Sequence, residues 1–168
     1  MRQNEPLSSL THFIGILLSI AALVLMIIFA ALYGTAWHIV GVSIFGASMI
    51  LLYTASALYH SFCKTHHAKK LLQKYDRAFI YVLIAGTYTP VCLVALHGAW
   101  GWSLFGIIWG LALLGIVLEF LWKTRPAWIP LLLYITMGWL ILIGIQVLLE
   151  RISPLAFLFL LLGGICYT

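Results

Sequence analysis

The chain has 168 residues, 64% of them apolar and only 8% charged, with a mean hydropathy of +1.13. A soluble domain is about 25% charged, so this composition excludes a water-facing globule and leaves one all-α transmembrane domain over residues 1–168. Nine Lys and Arg against four acids give a net charge of +5, but the bases sit in short loops, where they act as topology signals and not as a nucleic-acid footprint.

Crossing the hydrocarbon takes about 20 helical residues. The apolar runs predict spans near 10–32, 38–60, 77–96, 101–121 and 129–149, with a truncated sixth over 154–168. The first run is longer than a signal h-region and has no small-residue cleavage pattern, so it reads as a span in a cell membrane, most simply a bacterial inner membrane. Pro6 and Pro154 stand near span starts, where a missing amide costs little. Pro90 predicts a kink in the third span near Gly86–Pro90. Gly106 and Gly110 make a small-xxx-small face that predicts close helix contact within the molecule.

Loop charge orients the bundle. Arg2, Lys64, Lys69, Lys70, Lys74, Arg77, Lys123 and Arg125 fall on one side, and only Arg151 falls on the other. The positive-inside rule then places the N-terminus in the cytoplasm. Trp37, Trp100 and Trp102 belong to the outer interface and Trp122 and Trp128 to the inner one. Trp109 and Trp139 read as packing residues. Cys63, Cys92 and Cys166 show neither metal spacing nor a disulfide framework.

Against this apolar background three polar groups stand out at the cytoplasmic ends of their spans: His12, His60 and Asp76. Ionisable groups at membrane depth are costly and mark function. Ser56 lies four residues before His60 and shares its helix face. An imidazole, a hydroxyl and a carboxylate at one depth suit a zinc-bound water, with imidazole nitrogen as a ligand type and Asp76 in hydrogen-bond contact with the water or a histidine. Plainer readings stand beside this one. His60 also fits an interfacial histidine among lipid headgroups, Asp76 a helix N-terminal charge, and His12 a hydrogen bond to a neighbouring span. His38 and His97 belong to the opposite end, and His66 and His67 to the basic loop. Glu119 and Lys123, four apart, predict a helix-surface pair, while Glu5 reads as a solvated terminal acid. Zinc needs three or four protein ligands, so these residues alone give an incomplete set.

The motifs Glu5 with Thr11-His12, Ser56-Ala57-Leu58-Tyr59-His60, Tyr75-Asp76-Arg77, Ile80-Tyr81 through Ala85-Gly86-Thr87-Tyr88-Thr89-Pro90, Met137-Gly138-Trp139 and Gly163 through Thr168 run through nearly the whole chain. In this order they resemble the hemolysin III family, the bacterial branch of the progestin and adiponectin receptor superfamily. The resemblance implies a seven-helix fold with a cytoplasmic N-terminus. It also implies a zinc ion held by His60 and two histidines of a final helix, with Ser56 and Asp76 beside the zinc-bound water. This sequence stops before such a helix, so the expectation is an incomplete seven-helix bundle that binds zinc poorly as it stands, from a protein that continues further.

Three functions are compatible with the resemblance. The first is a hemolysin III-type membrane protein, channel-forming and cytolytic or concerned with membrane homeostasis. The second is a zinc-dependent intramembrane hydrolase of a lipid amide such as a ceramide, and the third a receptor or fluidity sensor. Membrane lipids are the expected partners. No span carries a polar stripe along its length, which weighs against a pore.

Overall fold

The computed structural model describes residues 6–61, 66–122, 124 and 126–167. Arg2, Glu5, Cys63, Lys64, Lys123, Arg125 and Thr168 lie outside the described residues. All described secondary structure is helical. Five helical stretches are long and apolar enough to cross a membrane, and a shorter apolar helix follows them.

Helix α1 spans Pro6–Tyr33 and α2 spans Ala36–Ser61. Between them the Thr35 amide donates to His38 Nδ1 at 3.1 Å, which ties the turn to the first turn of α2. Helix α3 runs His66–Pro90 and passes into a π-helical turn, Val91–Ala95. The proline has no amide to donate, and the ladder past it re-forms with wider rings, Leu96 N–H reaching Val91 O at 2.9 Å. The chain reverses at Gly98, whose φ of 123° lies where a side chain is strained. Helix α4 spans Ala99–Leu121. Helix α5 spans Trp128–Trp139, a 3₁₀ turn covers Leu140–Gly144, and α6 completes the same span over Ile145–Arg151. Helix α7, Pro154–Tyr167, has 14 residues. At 1.5 Å per residue it rises about 21 Å, short of the ~30 Å hydrocarbon core.

The third span is the centre of the bundle: 50% of its most apolar window is buried, against 11% for α1. Its packing uses small residues as seats. A Cβ on Gly41 would stand 2.8 Å from Pro90 Cα, and one on Gly86 would run into the Ser48 side chain. These two contacts fix the antiparallel register of α2 against α3. On the other side of α3, Gly115 of α4 seats the Tyr81 ring. Tyr81, Ile108 and Met137 are fully buried there and join α3, α4 and α5. The large exposed Leu, Ile and Phe side chains of α1 and α4 face outward, as lipid-facing surfaces do.

Three sequence expectations change. The third helix begins eleven residues before position 77, at His66, because Lys69, Lys70 and Lys74 end an apolar run but are good helix formers. Asp76 is therefore well inside α3 and is not a helix N-terminal charge. Gly106 and Gly110 are exposed, with nothing within 4 Å of an added Cβ. The close contacts of α4 are made instead by Gly101 and Gly115. The fifth span is not one regular helix. At its midpoint the Tyr88 hydroxyl of α3 accepts from Ile141 N–H at 2.9 Å and donates to Gly138 O at 2.9 Å. Ile141 and Gly138 are the i and i−3 groups of a 3₁₀ turn, so the hydroxyl sits between two groups that would otherwise face each other.

Candidate functional site

The basic-loop end of the bundle holds two polar clusters, one on each side of α3. The first joins α1 to α2. The His12 and His60 rings stack with centroids 5.5 Å apart and planes 7° from parallel. One turn along α1, the Ser9 and Ser61 hydroxyls hydrogen-bond each other. The Tyr59 ring meets His60 edge-on at 4.8 Å, and the Lys69 ammonium of α3 lies 5.8 Å from the Tyr59 ring centroid. On the other flank Tyr53 stands 6.0 Å from His12. It fits because position 15 is glycine: a Cβ there would come within 2.7 Å of the ring. His12 Nδ1 is buried and has no hydrogen-bond partner among the described residues.

Ser56 is buried, one turn deeper than His60 on α2. Asp76 is half-buried. Around the α3 axis it stands about 40° from Pro90 and about 80° from Gly86, both seated on α2, and so lies on the half of α3 that faces α2. Extending the Gly41–Pro90 and Ser48–Gly86 register carries Asp76 to about the level of residues 55–58 of α2. The geometry thus puts His12 and His60 in ring contact and puts Asp76 and Ser56 at a shared level on facing helices.

The second cluster joins α3 to α4. Arg77 Nη2 lies 2.9 Å from Glu119 Oε1, the carboxylate side chain 1% exposed and the arginine 40%. Tyr134 of α5 donates its hydroxyl to Arg77 O at 3.0 Å, and its ring packs 4.5 Å from that of Tyr81. One turn away Lys74 Nζ reaches Phe120 O at 3.4 Å. Two cations thus sit at the negative C-terminal end of α4, where a lone carboxylate would be unfavourable. Sequence reading paired Glu119 with Lys123, which lies outside the described residues; Glu119 is buried and makes an ion pair across helices with Arg77. The available signal was an acid in one span and a base in another at matching distances from the basic loops.

The opposite end is built differently. Trp37 packs on His97 at 5.6 Å and edge-on against Trp102 at 5.7 Å. Arg151 donates to the carbonyls of His97 and Ala95 at 3.2 and 3.5 Å. A cavity of about 220 Å³ opens there between His38, Val42 and the π turn. His38 and His97 are thus separate from the His12–His60 cluster, as expected.

A zinc ion does not fit the residues present. Among the described residues no three His, Cys, Asp or Glu side chains come together to hold a metal. Zinc takes three or four protein ligands, and the described cluster brings together two imidazoles.

The family model described as "Haemolysin-III related" matches residues 1–168. The chain belongs to the haemolysin-III family. Among curated relatives of the family, the "Hemolysin-3 homolog" of Bacillus subtilis (strain 168) is 48% identical over 167 residues, covering 99% of this chain and 78% of the relative. The "Hemolysin-3" of Bacillus cereus is 45% identical over 168 residues, covering 99% of this chain and 75% of that protein. No solved structure matches the chain. The family resemblance read from the motifs is borne out, and with it a polytopic, all-helical membrane protein.

Proposed function

We propose that this haemolysin-III protein acts on the bilayer it spans, altering its permeability and order, and that the His12–His60 end, with Ser56 and Asp76, is its functional end, lying at the cytoplasmic face. The observation that carries the reading is the stacked His12–His60 pair, two ionisable rings in contact near the ends of the first two spans, the first of which is the least buried of the five described. Such groups at membrane depth serve a function when they are kept. The name of the Bacillus cereus relative supports a lytic effect. The buried polar side chains among the described residues, Ser19, Ser48, Ser56, Thr89 and Glu119, are scattered over four helices, which favours lysis through assembly or bilayer perturbation over a pore in one chain.

The test is dye release from liposomes carrying the purified chain. Release should exceed that of empty vesicles and fall with His60→Ala or Asp76→Asn. Release equal to that of empty vesicles refutes the reading.

A second reading is favoured by the shared level of Ser56 and Asp76 across α2 and α3: hydrolysis of a lipid amide. In that reading Asp76 takes a proton from water, Ser56 and His60 orient the lipid amide, and zinc would require ligands beyond the described ones. Fatty-acid release from a ceramide by the reconstituted chain, abolished by Asp76→Asn, would establish it in place of permeabilisation.

A further inference from the structure

One line of α3 changes character where α4 ends. His67, Lys70, Lys74, Arg77, Tyr81 and Tyr88 follow one another at spacings of three, four and seven residues and therefore share a face. From Arg77 inward this face is covered: Arg77 meets Glu119, and Tyr81 meets Gly115 of α4. Helix α4 stops at Leu121, abreast of Lys74 and Arg77. Beyond it Lys70 and His67 are exposed, and Lys74 and Arg77 are only half-buried. Four basic side chains thus rise over about 15 Å of helix, starting at the level of the exposed Trp122 and Tyr75 rings, which suit the headgroup boundary.

The chain has no acid free to neutralise this stripe among the described residues. It has four acids in all. Glu119 is already paired with Arg77. Asp76 is turned to the other side of α3, two residues or about 200° from Lys74. Glu150 lies beside Arg151 at the far end of the bundle, and Glu5 is outside the described residues. The segment between α4 and α5 carries two more bases and no acid. Among the described residues no acid faces His67 and Lys70, which leaves this end of the stripe open to an anion from outside.

We infer that the His67–Lys70–Lys74–Arg77 stripe of α3 is a binding surface for the headgroup of an anionic phospholipid of the adjoining leaflet, seated over the end of α4. Glu119 and the Phe120 carbonyl of α4 hold Arg77 and Lys74 on this face, and Lys70 and His67 continue it past the end of α4, so a phosphate seated there would meet one line of bases. Juxtamembrane bases attract anionic lipid individually, and their effects add. This surface is independent of the proposed activity at His12 and His60.

The experiment titrates the detergent-purified full chain with phosphatidylglycerol or phosphatidylcholine and reads bound lipid by native mass spectrometry. Phosphatidylglycerol should bind at least about tenfold tighter, a preference that added salt erodes. Each lysine removed should weaken it about fivefold, so Lys70→Gln with Lys74→Gln should cost roughly thirtyfold. Lys69→Gln, on the other side of α3, should leave the preference intact. Lys70→Gln alone, at an exposed position, gives the same direction if the double variant does not fold. Equal binding of the two lipids, an equal loss with Lys69→Gln, or inorganic phosphate alone competing as well as phosphatidylglycerol would overturn the assignment.

Discussion

Tyr88→Phe tests the physical account of the broken fifth span most directly. The substitution keeps the ring, which is 7% exposed, and removes only the oxygen, so no cavity of consequence forms. Two groups then lose their partner: Gly138 O, which accepted at 2.9 Å, and Ile141 N–H, which donated at 2.9 Å. Both lie near the middle of the Trp128–Arg151 span, where no water replaces the lost oxygen. A measured interhelical hydrogen bond in a membrane protein averages about 0.6 kcal/mol, while a buried unsatisfied group costs about 1–3 kcal/mol. Two such groups give a loss of about 1–3 kcal/mol, held below the sum of the upper limits because Gly138 O and Ile141 N–H can close partly on each other as an i→i−3 bond. The assay is reversible unfolding in mixed micelles, with wild type and Tyr88→Phe measured together. A loss under about 0.5 kcal/mol would show that the 3₁₀ turn owes nothing to the hydroxyl, and the account of the break would fail.

Other outcomes follow from the same structure. Glu119→Gln removes one partner of the interhelical pair; breaking a buried pair costs about 3–5 kcal/mol, but Arg77 is 40% exposed and partly solvated at the boundary, so about 1–2 kcal/mol is expected in the micelle assay. A cost no greater than that of an exposed-site control such as Gly106→Ala would show that the pair does not tie α3 to α4. Gly115→Ala forces a methyl into the Tyr81 ring and should cost about 1–3 kcal/mol, whereas Gly106→Ala, in open space, should stay within about 0.5 kcal/mol; equal effects would refute the assignment of α4's packing face. Metal analysis of the purified chain incubated with zinc and then desalted should find well under one ion per chain, and a stoichiometric, tightly held zinc would contradict the shortage of donors around His12 and His60 among the described residues.

The spans were legible because hydrocarbon demands long apolar runs, and the sequence satisfies that demand five times over. Their ends were less legible where composition and helicity part. At α3 the apolar run begins near position 77 while the helix begins at His66, since lysine ends hydropathy without ending a helix. Small-residue spacing at Gly106 and Gly110 was a true pattern on the wrong side of α4: the spacing gives a face, and only the packing partner gives its use. The fifth span's break could not be read at all from Gly138 and Gly144, because its cause is a hydroxyl fifty residues away on α3. At the candidate site, His12, His60, Ser56 and Asp76 were found as polar exceptions in apolar spans. Arg77 and Glu119 were seen too, yet each was assigned a local explanation, because sequence spacing records neighbours within a helix and not across two.

That cross-helix pair bears on the candidate site. Asp76 and Arg77 are adjacent, so their side chains leave α3 about 100° apart. Arg77 is held on the α4 side by Glu119 at 2.9 Å, and its carbonyl is held by Tyr134 at 3.0 Å. These contacts fix the rotation of α3 about its own axis at this level. With Arg77 so placed, Asp76 is turned toward α2 and the level of Ser56. Rotating α3 by one residue would move Asp76 off that side and expose Glu119 as an unpaired buried charge, which opposes the rotation. The ion pair on one face of α3 thereby sets the carboxylate on the other. Glu119→Gln should then reduce whatever activity Asp76→Asn abolishes, even though Glu119 pairs with Arg77 on the α4 side of α3 and the His12–His60 cluster joins α1 to α2. A Glu119→Gln chain that loses stability but keeps full activity would separate the two clusters and defeat this argument.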